Sequence, residues 1–164
     1  EPDIMTLAKA LANGLPIGAM LATEQVASAF GPGAHGSTFG GTPIVTAAAL
    51  EVCKTLVAES IIDQGRNTVE YFIEKLLELK ERHSAIVDVR GLGLLLAMKL
   101  DFNGEALVSQ CMQRGFLINC IQENILRFIP PLIVKKEEID ALVNCLAELL
   151  ADFSAKPDPQ LNNY

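Results

Sequence analysis

Residues 85–100 read A-I-V-D-V-R-G-L-G-L-L-L-A-M-K-L, and the period of the chain changes across them. Just upstream, Ile62, Val69, Phe72, Ile73, Leu76 and Leu79 recur at three- and four-residue steps, with Glu70, Glu74, Lys75, Glu78 and Lys80 mostly on the other side. That spacing predicts a solvated amphipathic helix over 61–82. Within 85–100 the pattern shortens to two strands, 85–90 and 94–100. A tight turn at Gly91-Leu92-Gly93 joins them, its glycines supplying backbone angles that other residues resist. A nucleotide loop is the competing reading of those glycines, but no helix start follows them, so the hairpin reading wins.

Downstream, Asn103 can cap a helix running to Arg114, with Gly115 as its stop. Residues 116–120 and 125–129 read as short strands, the second ended by Pro130-Pro131, because proline cannot donate to a ladder. A last helix is predicted over 136–153, with Ile139, Leu142, Leu146, Leu149 and Phe153 on one stripe. Upstream, strands are predicted over 4–7 and 17–22 around a Gly/Pro turn. Thr42 then caps a helix whose first residue is Pro43 and whose body carries only Glu51 and Lys54 as charges. A helix so apolar is expected to be buried on most faces. The pattern divides near residue 80: a strand-and-helix segment over 1–80, a self-sufficient β-β-α-β-β-α unit over 81–153, and a flexible polar tail over 154–164.

The chain has 164 residues, a formal charge of −7 and an apolar content of 50% before its 12 glycines are added. The acidic balance argues against a nucleic-acid surface, which needs clustered cations, and the apolar content excludes disorder for nearly all of the chain. No run approaches the roughly 18 apolar residues of a membrane span. Cys53, Cys111, Cys120 and Cys145 stand at irregular intervals, with only His35 and His83 to join them. That pattern points to reduced core or near-core thiols in a cytoplasmic protein rather than to a metal site. The opening Glu1-Pro2-Asp3-Ile4, without Met, reads as a cut inside a longer protein.

Three stretches can carry chemistry. In T-L-A-K-A-L, Lys9 ends an apolar strand. There it either loses hydration, favouring the neutral amine that condenses with an aldehyde, or snorkels to solvent. In H-G-S-T-F-G-G-T-P (35–43), the adjacent hydroxyls of Ser37 and Thr38, the glycines and the following helix start make either a phosphate cradle or an ordinary capped turn. In L-R-F-I-P-P (126–131), Arg127 among apolar neighbours calls for a planar anionic partner such as a substrate carboxylate. The alternative is an edge strand with Arg127 lying over the surface.

Taken in order, T-L-A-K-A-L-A-N-G-L-P-I-G-A, G-S-T-F-G-G-T-P, V-R-G-L-G-L and L-R-F-I-P-P-L-I-V resemble the C-terminal part of class III, ω-amino acid type, aminotransferases dependent on pyridoxal 5'-phosphate. Within that class, G-F-L-I-N-C…E-N-I-L-R-F-I-P-P-L-I-V is similar to the acetylornithine branch. The likeness covers residues 1 to about 153. It implies an α/β fold, the C-terminal part of a PLP-dependent transferase of fold type I: a segment of the large domain followed by a small α+β domain. Two departures, Thr42 where many relatives have Asn and Leu92 where Lys or Met is frequent, remove no chemical role.

By the same resemblance, Lys9 matches the lysine that bonds the cofactor and shuttles a proton. Thr38, helped by Ser37, matches the hydroxyl that reaches the cofactor phosphate across a homodimer interface, and Arg127 the arginine that receives a substrate α-carboxylate. The implied reaction moves the terminal amino group of N-acetylornithine to 2-oxoglutarate, in arginine biosynthesis. Ornithine, succinylornithine or 4-aminobutyrate is the alternative donor. The family's acidic partner of the pyridine nitrogen, its stacking aromatic and a Gly-Ser/Thr phosphate turn lie upstream of the segment that Glu1 begins, so the chain alone is expected to be inactive. A reading from a different class is a non-catalytic α/β assembly or regulatory module in which Lys9 and Arg127 are structural.

Overall fold

The computed structural model describes residues 1–154, so the expected tail falls, past Ser154, outside the described residues. Two compact units divide at Ile61/Ile62, at the start of a helix rather than near residue 80. The reason is that Phe72, Leu76 and Leu79 of that helix are buried in the core of the second unit.

In the first unit, β1 (Ile4–Leu7) pairs antiparallel with β2 (Ala19–Ala22), Ile4 opposite Ala22 and Leu7 opposite Ala19. A 3₁₀ turn over Lys9–Ala12 follows β1, and the short α1 (Glu24–Ala27) follows β2. The sequence pattern foresaw neither. Next comes α2 (Pro43–Ala58), which has Pro at its first turn and Thr42 as N-cap residue. Of this helix only Val45 and Ala49 are buried, while Ile44 is 76% and Val57 78% exposed. The expectation of burial on most faces is thus not met within the chain: the apolar surface is present but uncovered. Cys53, on the same helix, is exposed and departs from the core assignment, whereas Cys111 and Cys145 are buried.

The second unit is a four-stranded antiparallel sheet with helices on its apolar face. Its elements are α3 (Ile61–Arg82), β3 (Ile86–Leu92), β4 (Leu95–Leu100), α4 (Glu105–Gln113), β5 (Asn119–Ile121), β6 (Ile125–Phe128) and α5 (Lys136–Ser154), with strand order β3-β4-β6-β5. Alternation along the strands sends Leu96, Met98, Leu100, Leu126 and Phe128 into one core with α3, α4 and α5. There the rings of Phe72 and Phe128 meet at 5.6 Å in a tilted pair. Burial, with Cys145 beside it, pushes the Cys111 thiol well above the ordinary thiol range, so Cys111 behaves as a small apolar core residue. Tyr71 ties α3 to α5 by donating to Asp140 at 2.5 Å.

The β3–β4 turn is tighter than 91–93. Leu92 still pairs with Leu95, and the chain reverses at Gly93 (φ 57°) and Leu94. Gly91 lies within β3, where an added Cβ would come within 2.3 Å of the Leu95 carbonyl oxygen. The N-cap position of α4 falls on Gly104 rather than on Asn103, which stands one residue earlier and whose Oδ1 accepts from the Glu105 N–H at 2.9 Å. The strand predicted from residue 116 begins only at Asn119, because the Phe116 N–H still closes the end of α4 on the Cys111 carbonyl at 2.9 Å.

The two units differ in how much they bury, and exchange should follow. Backbone amides of β4 and β6 are expected to exchange with deuterium roughly a hundredfold more slowly than those of β1 and β2. Site-resolved exchange measures this directly, and equal protection in both sheets would contradict the burial difference.

Candidate active site

The first candidate residue is not on a strand. β1 ends at Leu7, Ala8 is extended (φ −161°, ψ −164°), and Lys9 turns to φ 55° to open the 3₁₀ turn. This left-handed conformation crowds Cβ against the backbone and costs a non-glycine residue roughly 1–2 kcal/mol. The turn is held from behind by Leu11 N–H to Ala8 O at 3.2 Å and Asn13 N–H to Ala10 O at 3.0 Å, and Ala12 is buried beneath it. Desolvation of Lys9, one reading of its sequence position, is absent: the side chain is exposed. Its amine has no hydrogen-bond or ion-pair partner among the described residues. It borders an open depression of about 370 Å³ lined also by Asn13, Gly14, Leu15, Pro16 and Ile17.

The second candidate is the loop before α2. Ser37 Oγ accepts the Gly40 N–H at 2.9 Å, folding the loop back on itself. A Cβ on Gly40 would sit 2.8 Å from that oxygen, so a side chain there would push the Ser37 hydroxyl out of this bond. As an acceptor, Ser37 keeps its own O–H proton for an outside oxygen. Thr38 is exposed and bonds to nothing among the described residues. Thr42 makes no side-chain cap, so the loop leads into a helix N-terminus without a side chain closing it. Ser37 and Thr38 do not line the depression beside Lys9.

Arg127 stands in the second unit on β6, an interior strand between β4 and β5, which removes the edge-strand reading. Leu126 and Phe128 on either side are buried in the core, so Arg127 projects from the opposite face of the sheet, half-buried. No carboxylate pairs with it among the described residues. Glu123, in the β5–β6 turn, makes no ion pair with it. Instead Nε donates to Asn119 Oδ1 at 3.2 Å, leaving both terminal nitrogens without a partner among the described residues. Asn119 was not singled out by the sequence pattern. The signal was spacing, since 119 and 127 lie equally far from the centre of a hairpin at 123.

The donor set fits an aldehyde carried on a phosphate ester: a partnerless primary amine for the carbonyl, and two adjacent hydroxyls with free protons on a glycine loop for the phosphate. The open end of the Arg127 guanidinium fits a carboxylate.

The family profile described as Aminotransferase class-III matches residues 1–150. The acetylornithine aminotransferase of Methanocaldococcus jannaschii is 49% identical over 156 residues, covering 93% of this chain and 38% of its own length. Among solved structures, acetylornithine aminotransferase from Elizabethkingia anophelis superposes with a TM-score of 0.84 at 29% identity, covering 93% of this chain and 42% of that one. The ornithine aminotransferase of Toxoplasma gondii, whose structure shows partial occupancy of PLP at the active site, superposes at 0.85 with 30% identity, over 93% of this chain and 37% of its own. The chain therefore spans about two fifths of the length of the proteins it matches.

Backbone strain at an exposed lysine has a stability signature. Lys9→Gly removes the left-handed strain and no buried contact. The full chain is expected to stay within about 1 kcal/mol of the parent, on the stabilising side, in a urea unfolding series. A loss of several kcal/mol would make Lys9 a structural residue.

Proposed function

The chain belongs to the class-III aminotransferases, which depend on pyridoxal phosphate, and on that premise we propose that it carries the cofactor lysine and the substrate arginine of an ω-aminotransferase. The proposed donor is N-acetylornithine and the acceptor 2-oxoglutarate, in arginine biosynthesis in the cytoplasm. The observation that carries the site reading is Lys9, with its partnerless amine presented at a strained backbone position inside the matched segment. The donor reading is supported by the curated relatives, which are acetylornithine aminotransferases at 40–49% identity.

When bound, pyridoxal phosphate supplies an electron sink for chemistry at the substrate carbon. Lys9 Nζ would be the amine that holds the cofactor through its aldehyde carbon and, once the substrate amine has displaced it, the base that takes the proton from the substrate carbon and delivers it to the cofactor carbon. Ser37 and Thr38 donate their O–H protons to phosphate oxygens. Arg127 holds the α-carboxylate of 2-oxoglutarate through its two terminal nitrogens, which fixes the reacting carbon in place. The uncovered apolar surface of α2, with Ile44 and Val57 outward and Phe39 77% exposed in the hydroxyl loop, supports a homodimer in which this loop lies at the seam and serves the neighbouring subunit's cofactor.

Three substitutions in the active enzyme test the reading. Lys9→Ala is expected to cut turnover by roughly 10²–10⁴-fold or more and abolish the borohydride-trapped covalent link while the melt is unchanged. Near-parental turnover would sink the assignment. Thr38→Val removes a hydroxyl on a charged group, worth about 1.5–3 kcal/mol, or roughly ten- to hundredfold in cofactor affinity by titration. Arg127→Lys keeps the charge but loses the planar fork, so kcat/KM for 2-oxoglutarate should fall by about 2–4 kcal/mol with stability little changed. A large drop in the melt with normal kinetics per folded enzyme would make Arg127 structural.

A further inference from the structure

Arg127 lies in a row of residues that face one another across the sheet. Arg90 on β3 is opposite Ala97 on β4, Ala97 is opposite Arg127 on β6, and Arg127 is opposite Asn119 on β5. All four project from the face away from the core, because the residues between them on β4 and β6 are buried. The methyl group of Ala97 offers no acceptor. Arg90 is already engaged, its guanidinium donating to Asp88 Oδ2 at 2.7 Å. Asn119 Oδ1, at 3.2 Å from Nε, is therefore the acceptor that fixes the Arg127 side chain among the described residues.

A guanidinium can grip a carboxylate in two ways: side-on through Nε and one terminal nitrogen, or end-on through both terminal nitrogens. An amide oxygen on Nε blocks the first and leaves the second. It also immobilises a long side chain before substrate arrives, so less rotamer entropy is lost on binding. We propose that Asn119 is a positioning residue for Arg127, occupying Nε so that the terminal nitrogens meet the carboxylate of the 2-oxo acid end-on. This rests on the reading of Arg127 as the carboxylate receptor, and the role of Asn119 is a separate claim about how that receptor is aimed.

A double-mutant cycle in the active holoenzyme separates the two. Asn119 is exposed on a short edge strand, so Asn119→Ala should fold, and Asn119→Thr, a strand former whose hydroxyl is too short to reach Nε, serves as a second variant. Both are expected to raise KM for 2-oxoglutarate roughly ten- to hundredfold, the scale of one lost charge-assisted hydrogen bond, with kcat within about twofold. The half-reaction with N-acetylornithine, whose reacting carbon bears no carboxylate, should be unchanged. In an Arg127→Ala background, Asn119→Ala should add nothing. If Arg127→Ala cripples use of 2-oxoglutarate while both Asn119 variants match the parent, the positioning role is wrong and the receptor reading stands. If the Asn119 effect persists without Arg127, or strikes both half-reactions alike, Asn119 acts through the fold and the inference fails. If Arg127→Ala leaves KM for 2-oxoglutarate unchanged, the receptor reading fails, and the inference with it.

Discussion

Asn124 clamps the β5–β6 turn to the end of β4: its side-chain amide donates to the Leu100 carbonyl at 2.9 Å, and its carbonyl accepts the Leu100 N–H at 2.8 Å. Gln122 and Glu123 beside it both adopt positive φ, and the Glu123 carbonyl accepts from Gly104 N–H at 2.7 Å. This pins the hairpin register. A slip of one residue on β6 would carry Arg127 into the core and turn Leu126 and Phe128 to solvent, an exchange the apolar interior does not permit. The aim of one half-buried arginine therefore depends on a turn four residues away and on the tilted pair of phenyl rings in the core below the sheet.

The same logic explains which parts of the fold were legible from sequence. The helix over 61–82 has in the structure the bounds its periodicity predicts, since a long run with a single consistent apolar stripe leaves little choice of period. The hairpin of β3 and β4 was read correctly in kind but misplaced in its turn. Two glycines point to a turn at 91–93, although one of them serves close strand approach rather than reversal. Strand ends next to helices were harder. Phe116 has strand-like composition but is held by the last turn of α4, a choice made by one backbone hydrogen bond.

The candidate site was legible as residue types and motifs, less so as geometry. T-L-A-K-A-L marks Lys9, yet nothing in its propensities announces a left-handed lysine or a 3₁₀ turn, because propensity averages over conformations among which the surrounding structure selects. The glycine loop was readable because Ser37 and Gly40 interact locally, three residues apart. The companion of Arg127 was not, because a cross-strand neighbour is defined only once the turn is. Sequence logic looked for an opposite charge and the structure supplied a neutral amide.

Gly91 and Leu92 are adjacent, and they stand at opposite ends of substitutional tolerance. At Gly91 even a methyl group would overlap the Leu95 carbonyl and the Leu96 backbone, atoms that cannot rotate aside. At Leu92, 89% exposed, a side chain of almost any shape finds room. A mutational scan of this hairpin thus reads out two different quantities from neighbouring columns. The first reports the spacing of two peptide ladders and would be indifferent to assembly or ligand. The second is silent about folding of the unit, so any selectivity seen there would have to come from whatever else the exposed leucine touches in the working enzyme.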